Sequence, residues 1–318
     1  VLLGHPLRFL LLGDVVSGIE ERLPAAVAKA PGRDGPSRRT GVFEGYRVVG
    51  SLKGGGSGGR LYVAEPDEAK RVQLERAGVG DVERVVIKSF SLLDGSSMPQ
   101  IVRESRALEA ARKLGLVIEH EMGDERFYYV MRYVPGETLG VTAERLHAGA
   151  GGEGLGTRDL RELVGYVCDL VGTLDGYHRG GLWHKDVKPD NVIVHDGRAE
   201  LVDLGLVTPL RSAMTLTTHG TEYFRDPELV RLALRGAKVH EVDGSLFDIY
   251  GAGAVLYSVV ENSFPAHGAL SRVTKRCPEA LKWVIRRSMA DLGRRYESAE
   301  LMLADLRFVA SSEDPWAL

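Results

Sequence analysis

The chain has 318 residues, 44% hydrophobic and 27% charged, which supplies a continuous core and excludes a disordered tail. A formal net charge of -3 with locally alternating signs leaves no basic excess, so no nucleic-acid partner is expected. The two cysteines, Cys168 and Cys277, are too few for a disulfide framework and too far apart in sequence for a metal-ligand pair.

The apolar stretch Val1 to Val16 is broken by His5, Pro6, Arg8 and Asp14 and falls short of the ~20 residues of a bilayer span, so no membrane span is expected. No basic-then-apolar leader pattern opens the chain, which makes the cytoplasm the expected compartment, although the chain could be a fragment of a longer protein. Pro31 to Thr40 mix Pro, Gly, Ser and Arg without a period and read as a linker, so residues 1–45 form an N-terminal extension. Strand-like runs follow at Tyr46–Leu52, Leu61–Ala64, Val85–Phe90, Val117–Glu121 and Phe127–Arg132, with one helical pattern at Ile101–Lys113. Beyond the glycine-rich break Gly149–Gly156 the helical period takes over, and Leu160, Leu163, Val164, Val167, Val171, Leu174 and His178 share one face. Asp248–Val260 is apolar almost all round, which predicts a helix buried on every side.

Gly54, Gly56 and Gly59 form G-x-G-x-x-G between two of the strand-like runs. Glycine lets backbone N–H groups approach phosphate oxygens closely, although by itself the segment also reads as a linker. A dinucleotide-binding turn would open a helix at the third glycine; Arg60 to Ala64 continue as strand, which points to a hairpin over phosphates. Lys88 ends an apolar strand, a place where lysine usually snorkels to water. Glu104, on the following helix, is free to point back at the sheet; pairing would hold Lys88 against α- and β-phosphates. The run His184 to Asn191 brings Asp186, Lys188 and Asn191 from one loop toward a nucleophile, a γ-phosphate and a metal. Asp203 follows a hairpin with its turn at Asp196-Gly197, which puts it on the same side as Asn191. Two oxygen donors plus phosphate oxygens suit Mg²⁺, which takes few protein ligands.

In this order Gly54, Gly56, Gly59, Val-Val-Ile-Lys88, Glu104, His-Lys-Asp186 to Asn191, Asp203-Leu-Gly205 and Asp226-Pro-Glu228 resemble the motif set of protein kinases. The resemblance runs from about Tyr46 to Ala310 and is greatest to bacterial serine/threonine kinases of the eukaryotic type. It implies an α+β, two-lobed protein kinase fold: an N-lobe over 46–134 with a five-stranded sheet and one helix, a mainly helical C-lobe over 135–310, and a tail over 311–318. It implies transfer of the γ-phosphate of ATP, with Mg²⁺ or Mn²⁺, to Ser/Thr hydroxyls of a protein substrate. Asp186 would be the catalytic base, Lys188 would neutralise the transferring group, Lys88 and Glu104 would hold phosphates, and Asn191 and Asp203 the metal. Met131 would be the gatekeeper, Arg132, Tyr133 and Val134 the hinge that bonds adenine, and Leu61, Val86 and Ile193 its apolar walls. His184, Leu204, Leu108 and a residue near Val117 would stack as a regulatory spine, Asp248 would anchor the loop at 184–191, and Glu228 would pair with Arg295. Lys88 is expected to contribute little to the core.

Lys185 stands where the family usually has arginine, so capture of a loop phosphate is weakened. Autophosphorylation is expected at Thr215, Thr217 or Thr218 through self-association, with modest effect on activity. The segment between Asn262 and Cys277 is short for the usual docking helix, and the insertions at Glu65–Arg84 and Arg231–Gly244 have no role readable from sequence. Two alternatives remain: a small-molecule phosphotransferase, against which the intact segment Leu206 to Glu228 argues, and a pseudokinase scaffold, against which the filled catalytic positions argue.

Overall fold

The computed structural model describes residues 42–52, 59–93, 98–152, 154–205, 207–212, 214–218, 221–265 and 272–318. The N-terminal extension up to residue 41, Gly54 and Gly56 lie outside the described residues. The chain divides into two units, one ending at Tyr133 and one beginning at Val134.

The first unit is built on an antiparallel sheet. Its strands are β1 (Tyr46–Leu52), β2 (Arg60–Pro66), β3 (Val85–Ser91), β4 (Glu119–Met122) and β5 (Arg126–Arg132), in the order β1-β2-β3-β5-β4. Successive side chains alternate between faces, and antiparallel partners share a face. Tyr62, Ile87 and Val130 therefore point one way, into a core with Phe43, Tyr46, Ala64, Val85 and Tyr128. The opposite face carries Leu61, Lys88 and Tyr129 in one row and Val63, Val86 and Met131 in the next. The helix read from the spacing of Ile101, Leu108 and Ala111 is present and buries those three residues, though it starts earlier, at Met98, and runs to Lys113. A shorter helix, α1 (Glu68–Arg76), precedes it inside the first insertion; the longer one is α2. Asp67 caps α1 by accepting from the Lys70 N–H at 2.8 Å, and Lys70 reaches Glu119 of β4 at 3.2 Å. The insertion thus fastens to the far edge of the sheet.

The second unit is mainly helical: α3 (Leu139–Ala150), α4 (Thr157–Arg179), α5 (Pro227–Leu234), α6 (Ser245–Glu261), α7 (Glu279–Ser288) and α8 (Ala299–Ser311). Helix α6 is the core helix expected from its all-round apolar pattern, with Ile249, Ala252, Ala254, Val255 and Leu256 fully buried. It ends at Asn262 in the left-handed region, φ 55°, where asparagine is tolerated. A three-stranded sheet joins β6 (Glu137–Thr138), β8 (Val192–His195) and β9 (Arg198–Leu201), and β7 (Leu182–Trp183) pairs with β10 (Thr208–Pro209). No helix among the described residues is long and apolar enough to cross a membrane.

Candidate active site

The loop 184–191 is held from beneath by one buried carboxylate. Asp248 of α6 accepts from the backbone N–H of His184 at 2.7 Å and of Lys185 at 2.9 Å, and from His178 Nε2 at 3.0 Å. These bonds offset the cost of Lys185, which sits at φ 72°, a left-handed conformation worth roughly 1–2 kcal/mol of strain. The helix comes so close that a Cβ on Gly251 would stand 2.9 Å from the Cβ of Val187, so only glycine fits. His184 is fully buried, and its Nε2 lies 3.2 Å from the Val202 carbonyl; since a carbonyl only accepts, that nitrogen carries the proton.

Asp186 is the convergence point. Its Oδ2 receives Lys188 Nζ at 2.9 Å and the Asn191 amide at 3.1 Å, while its Oδ1 receives the Thr221 N–H at 2.9 Å and the Thr221 hydroxyl at 3.0 Å. Lys188 Nζ also donates to the Thr221 hydroxyl at 2.8 Å. Burial works to raise the Asp186 carboxyl, but the Lys188 ammonium and the Thr221 N–H outweigh it and hold the group below its ordinary value of 3.8. It is a carboxylate throughout the physiological range. The hairpin β8–β9 pairs Val192 with Leu201, and the Val202 N–H donates to the Asn191 carbonyl at 2.8 Å. Asn191 and Asp203 therefore leave the hairpin at the same end. Asp203 is itself left-handed, φ 66°, with its carboxylate accepting from the Gly205 N–H at 2.9 Å.

In the first unit Lys88 Nζ bonds Glu104 Oε1 at 3.1 Å, and Tyr129 donates to Glu104 Oε2 at 2.7 Å. The Phe90 ring lies 5.6 Å from the Lys88 ammonium. A Cβ on Gly59 would stand 2.8 Å from Phe90 and 3.2 Å from Lys88 Cε, so a side chain there would crowd the lysine. Leu61, Val86, Lys88 and Met131 share one face of the sheet. Arg132 ends β5, and Ile193 lies in β8 of the second unit, opposite Thr138 and Glu200. Tyr133 closes the first unit and Val134 opens the second.

The model of the protein kinase domain family matches residues 65–297. The chain belongs to that family. Among curated relatives of this kinase domain, the serine/threonine-protein kinase PrkC of Bacillus subtilis is 25% identical over 85% of this chain and 41% of the relative. CBL-interacting protein kinase 20 of rice is 30% identical over 72% of this chain and 47% of the relative. The serine/threonine-protein kinase PknL of Mycobacterium tuberculosis is 30% identical over 52% of this chain and 39% of the relative. The chain thus spans less than half the length of these relatives.

Two details of this kinase domain depart from the sequence reading. Arg295 does not pair with Glu228: its Nη1 bonds Asp226 at 2.5 Å, both side chains being buried, and Glu228 turns outward to Arg231 at 3.1 Å. Asp226 precedes the helix and caps it, accepting from the Glu228 N–H at 2.8 Å, which aims its second oxygen inward where a residue one turn along faces water. Lys88 is a core residue, 2% exposed, contrary to the expectation that it contributes little there. Lys185 is also buried, with its ammonium 4.7 Å from the Trp183 ring.

Two contributions had no sequence signal of the motif kind. One is Tyr129, which only the β3–β5 register places beside Lys88. The other is the insertion after α5, whose backbone runs along the segment 212–216 through Leu216 N–H to the Ala237 carbonyl at 2.8 Å, Val239 N–H to Met214 at 2.9 Å and His240 N–H to Ser212 at 3.1 Å. The buried cluster of Trp183, Leu216, Leu229, Val239 and Phe247 seals that contact.

Proposed function

We propose that this kinase domain transfers the γ-phosphoryl group of ATP to serine or threonine hydroxyls of a protein substrate, with Asp186 as the base. The observation that carries this reading is the Asp186 carboxylate, fixed on both oxygens by Lys188, Asn191 and Thr221. An ionised, oriented carboxylate accepts the hydrogen bond of an incoming hydroxyl and takes its proton as the phosphoryl group transfers. Lys188 offsets the charge of the transferring group, and its bond to Thr221 ties the acceptor side of the site to the base. Lys88, braced by Glu104, would hold the α- and β-phosphates, with Gly59 allowing the chain to pass close. Gly54 and Gly56 would complete that loop. Leu61, Val86, Met131 and Ile193 would enclose the adenine, and the backbone of Arg132, Tyr133 and Val134 would bond its edge.

The donor set of Asn191 and Asp203 suits Mg²⁺, or Mn²⁺ in its place: one amide and one carboxylate at the same end of a hairpin would hold an ion that takes few protein ligands. When bound, the ion would neutralise charge on the phosphate oxygens. The Asn191 side-chain nitrogen is engaged by Asp186, which leaves the amide oxygen for the ion. Copies of the domain would phosphorylate one another, and the cytoplasm, where ATP is held, is the fitting compartment.

The test is incubation of the pure protein and of Asp186→Asn with labelled ATP, a Ser/Thr/Tyr peptide library and Mg²⁺. Phosphoserine and phosphothreonine from the wild type, and a loss of at least about a hundredfold in the variant, are expected. Phosphotyrosine as the main product would refute the specificity, and an inert wild type the transfer itself.

A further inference from the structure

In the β3–β5 ladder Lys88 and Tyr129 are direct partners, so their side chains leave the same face of the sheet roughly 5 Å apart. Glu104 of α2 meets both. Its Oε1 accepts from the lysine at 3.1 Å and its Oε2 from the tyrosine hydroxyl at 2.7 Å. All three residues are buried, at 2%, 2% and 1% exposure for Lys88, Glu104 and Tyr129.

A buried carboxylate needs donors on both oxygens, and an ammonium on one leaves the other to be satisfied. The phenol is well suited to that second position. It adds no charge, and its ring is fixed by the strand and by the neighbouring Phe127, 6.1 Å away. A glutamate held from one side by a flexible lysine can turn about its terminal torsion; held from both sides, it keeps one orientation. Its orientation in turn decides where the lysine ammonium stands.

We propose that Tyr129 is a positioning residue for phosphoryl transfer, its hydroxyl fixing the Glu104 carboxylate and, through it, the Lys88 ammonium for a nucleotide's phosphates. The inference rests on the reading of Lys88 as the phosphate clamp. Preorganisation of this kind matters because in-line transfer depends on positioning and charge more than on covalent chemistry by the protein.

The experiment is a double-mutant cycle on the full chain. Tyr129→Phe removes one oxygen and keeps the ring; kcat/KM for ATP is expected to fall about tenfold, the equivalent of one hydrogen bond to a charged group. In a Glu104→Gln background the same change should cost less than about twofold, because the hydroxyl acts through the carboxylate. Where turnover is too slow, ATP affinity is compared in its place. An equal loss in both backgrounds would overturn the proposal, as it would mean the hydroxyl serves the fold alone. So would wild-type kcat/KM in Tyr129→Phe while Lys88→Met is inactive. Near-normal turnover in Lys88→Met would instead sink the clamp reading on which the proposal stands. Should Tyr129→Phe fail to fold, Tyr129→Met fills the space without a donor and is put through the same cycle.

Discussion

Lys238 and Thr215 face each other in an isolated antiparallel bridge, and the Lys238 ammonium donates to the Thr215 hydroxyl at 3.0 Å. With the flanking backbone bonds and buried Leu216, this makes the insertion a strap across the segment that holds Ser212, Met214 and Leu216. These contacts predict that packing, rather than a threonine phosphate paired with Lys185, is what matters for the activity of this segment. Alanine at Thr215, Thr217 and Thr218 together should lower activity on an exogenous substrate by less than about fivefold, the worth of one exposed charged contact. Leu216→Ala, which empties a buried site at a cost of about 2–5 kcal/mol, should lower activity further and expose 212–218 to proteases. Mass spectrometry should find phosphate on Thr215 or Thr218, which are exposed, before Thr217, whose hydroxyl is buried. Background activity in the triple variant would show that phosphorylation, not the strap, orders the segment.

Lys88→Met should abolish transfer and also destabilise the protein. The variant strips the counter-charge from a carboxylate that is 2% exposed, a change that costs about 3–5 kcal/mol. Adding Glu104→Leu removes the stranded charge and should recover part of the melting temperature with none of the activity. Calorimetry beside a turnover assay separates the two effects.

The pH dependence follows from Asp186. Its folded value is depressed, so the stability and reactivity of its ionised form are fully present above the ordinary carboxylate range and are lost as pH falls through the folded value, below 3.8. The acid limb assigned to this group in a kcat/KM profile should therefore lie below pH 3.8. Lys188→Ala removes the largest lowering influence while burial remains, so that limb should move upward along with a fall in kcat. An unmoved limb would mean that another group sets it.

Asp226 and Glu228 should differ sharply. Asp226→Ala leaves the buried Arg295 guanidinium without its carboxylate and should cost about 3–5 kcal/mol in denaturant melts. Glu228→Ala removes a surface i,i+3 pair with Arg231 and should cost less than about 1 kcal/mol. The reverse ranking would restore Glu228 as the partner of Arg295.

Much of this is legible in the sequence, because much of it is local. The period of Ile101, Leu108 and Ala111, the all-round apolarity of 248–260 and the turn at Asp196-Gly197 each mark an element through residues a few positions apart. The spacing of Asp186, Lys188 and Asn191 is equally local, since one loop presents all three. What tertiary structure alone decided lies in partners far apart in sequence. Tyr129 reaches Glu104 because strand register puts it opposite Lys88. Asp226 rather than Glu228 meets Arg295 because the helix cap turns one carboxylate inward. The insertion at 231–244, without meaning as a string, becomes a strap only when its apolar residues find Leu216. Pattern specifies which face of an element is buried; packing and register select which group it meets there.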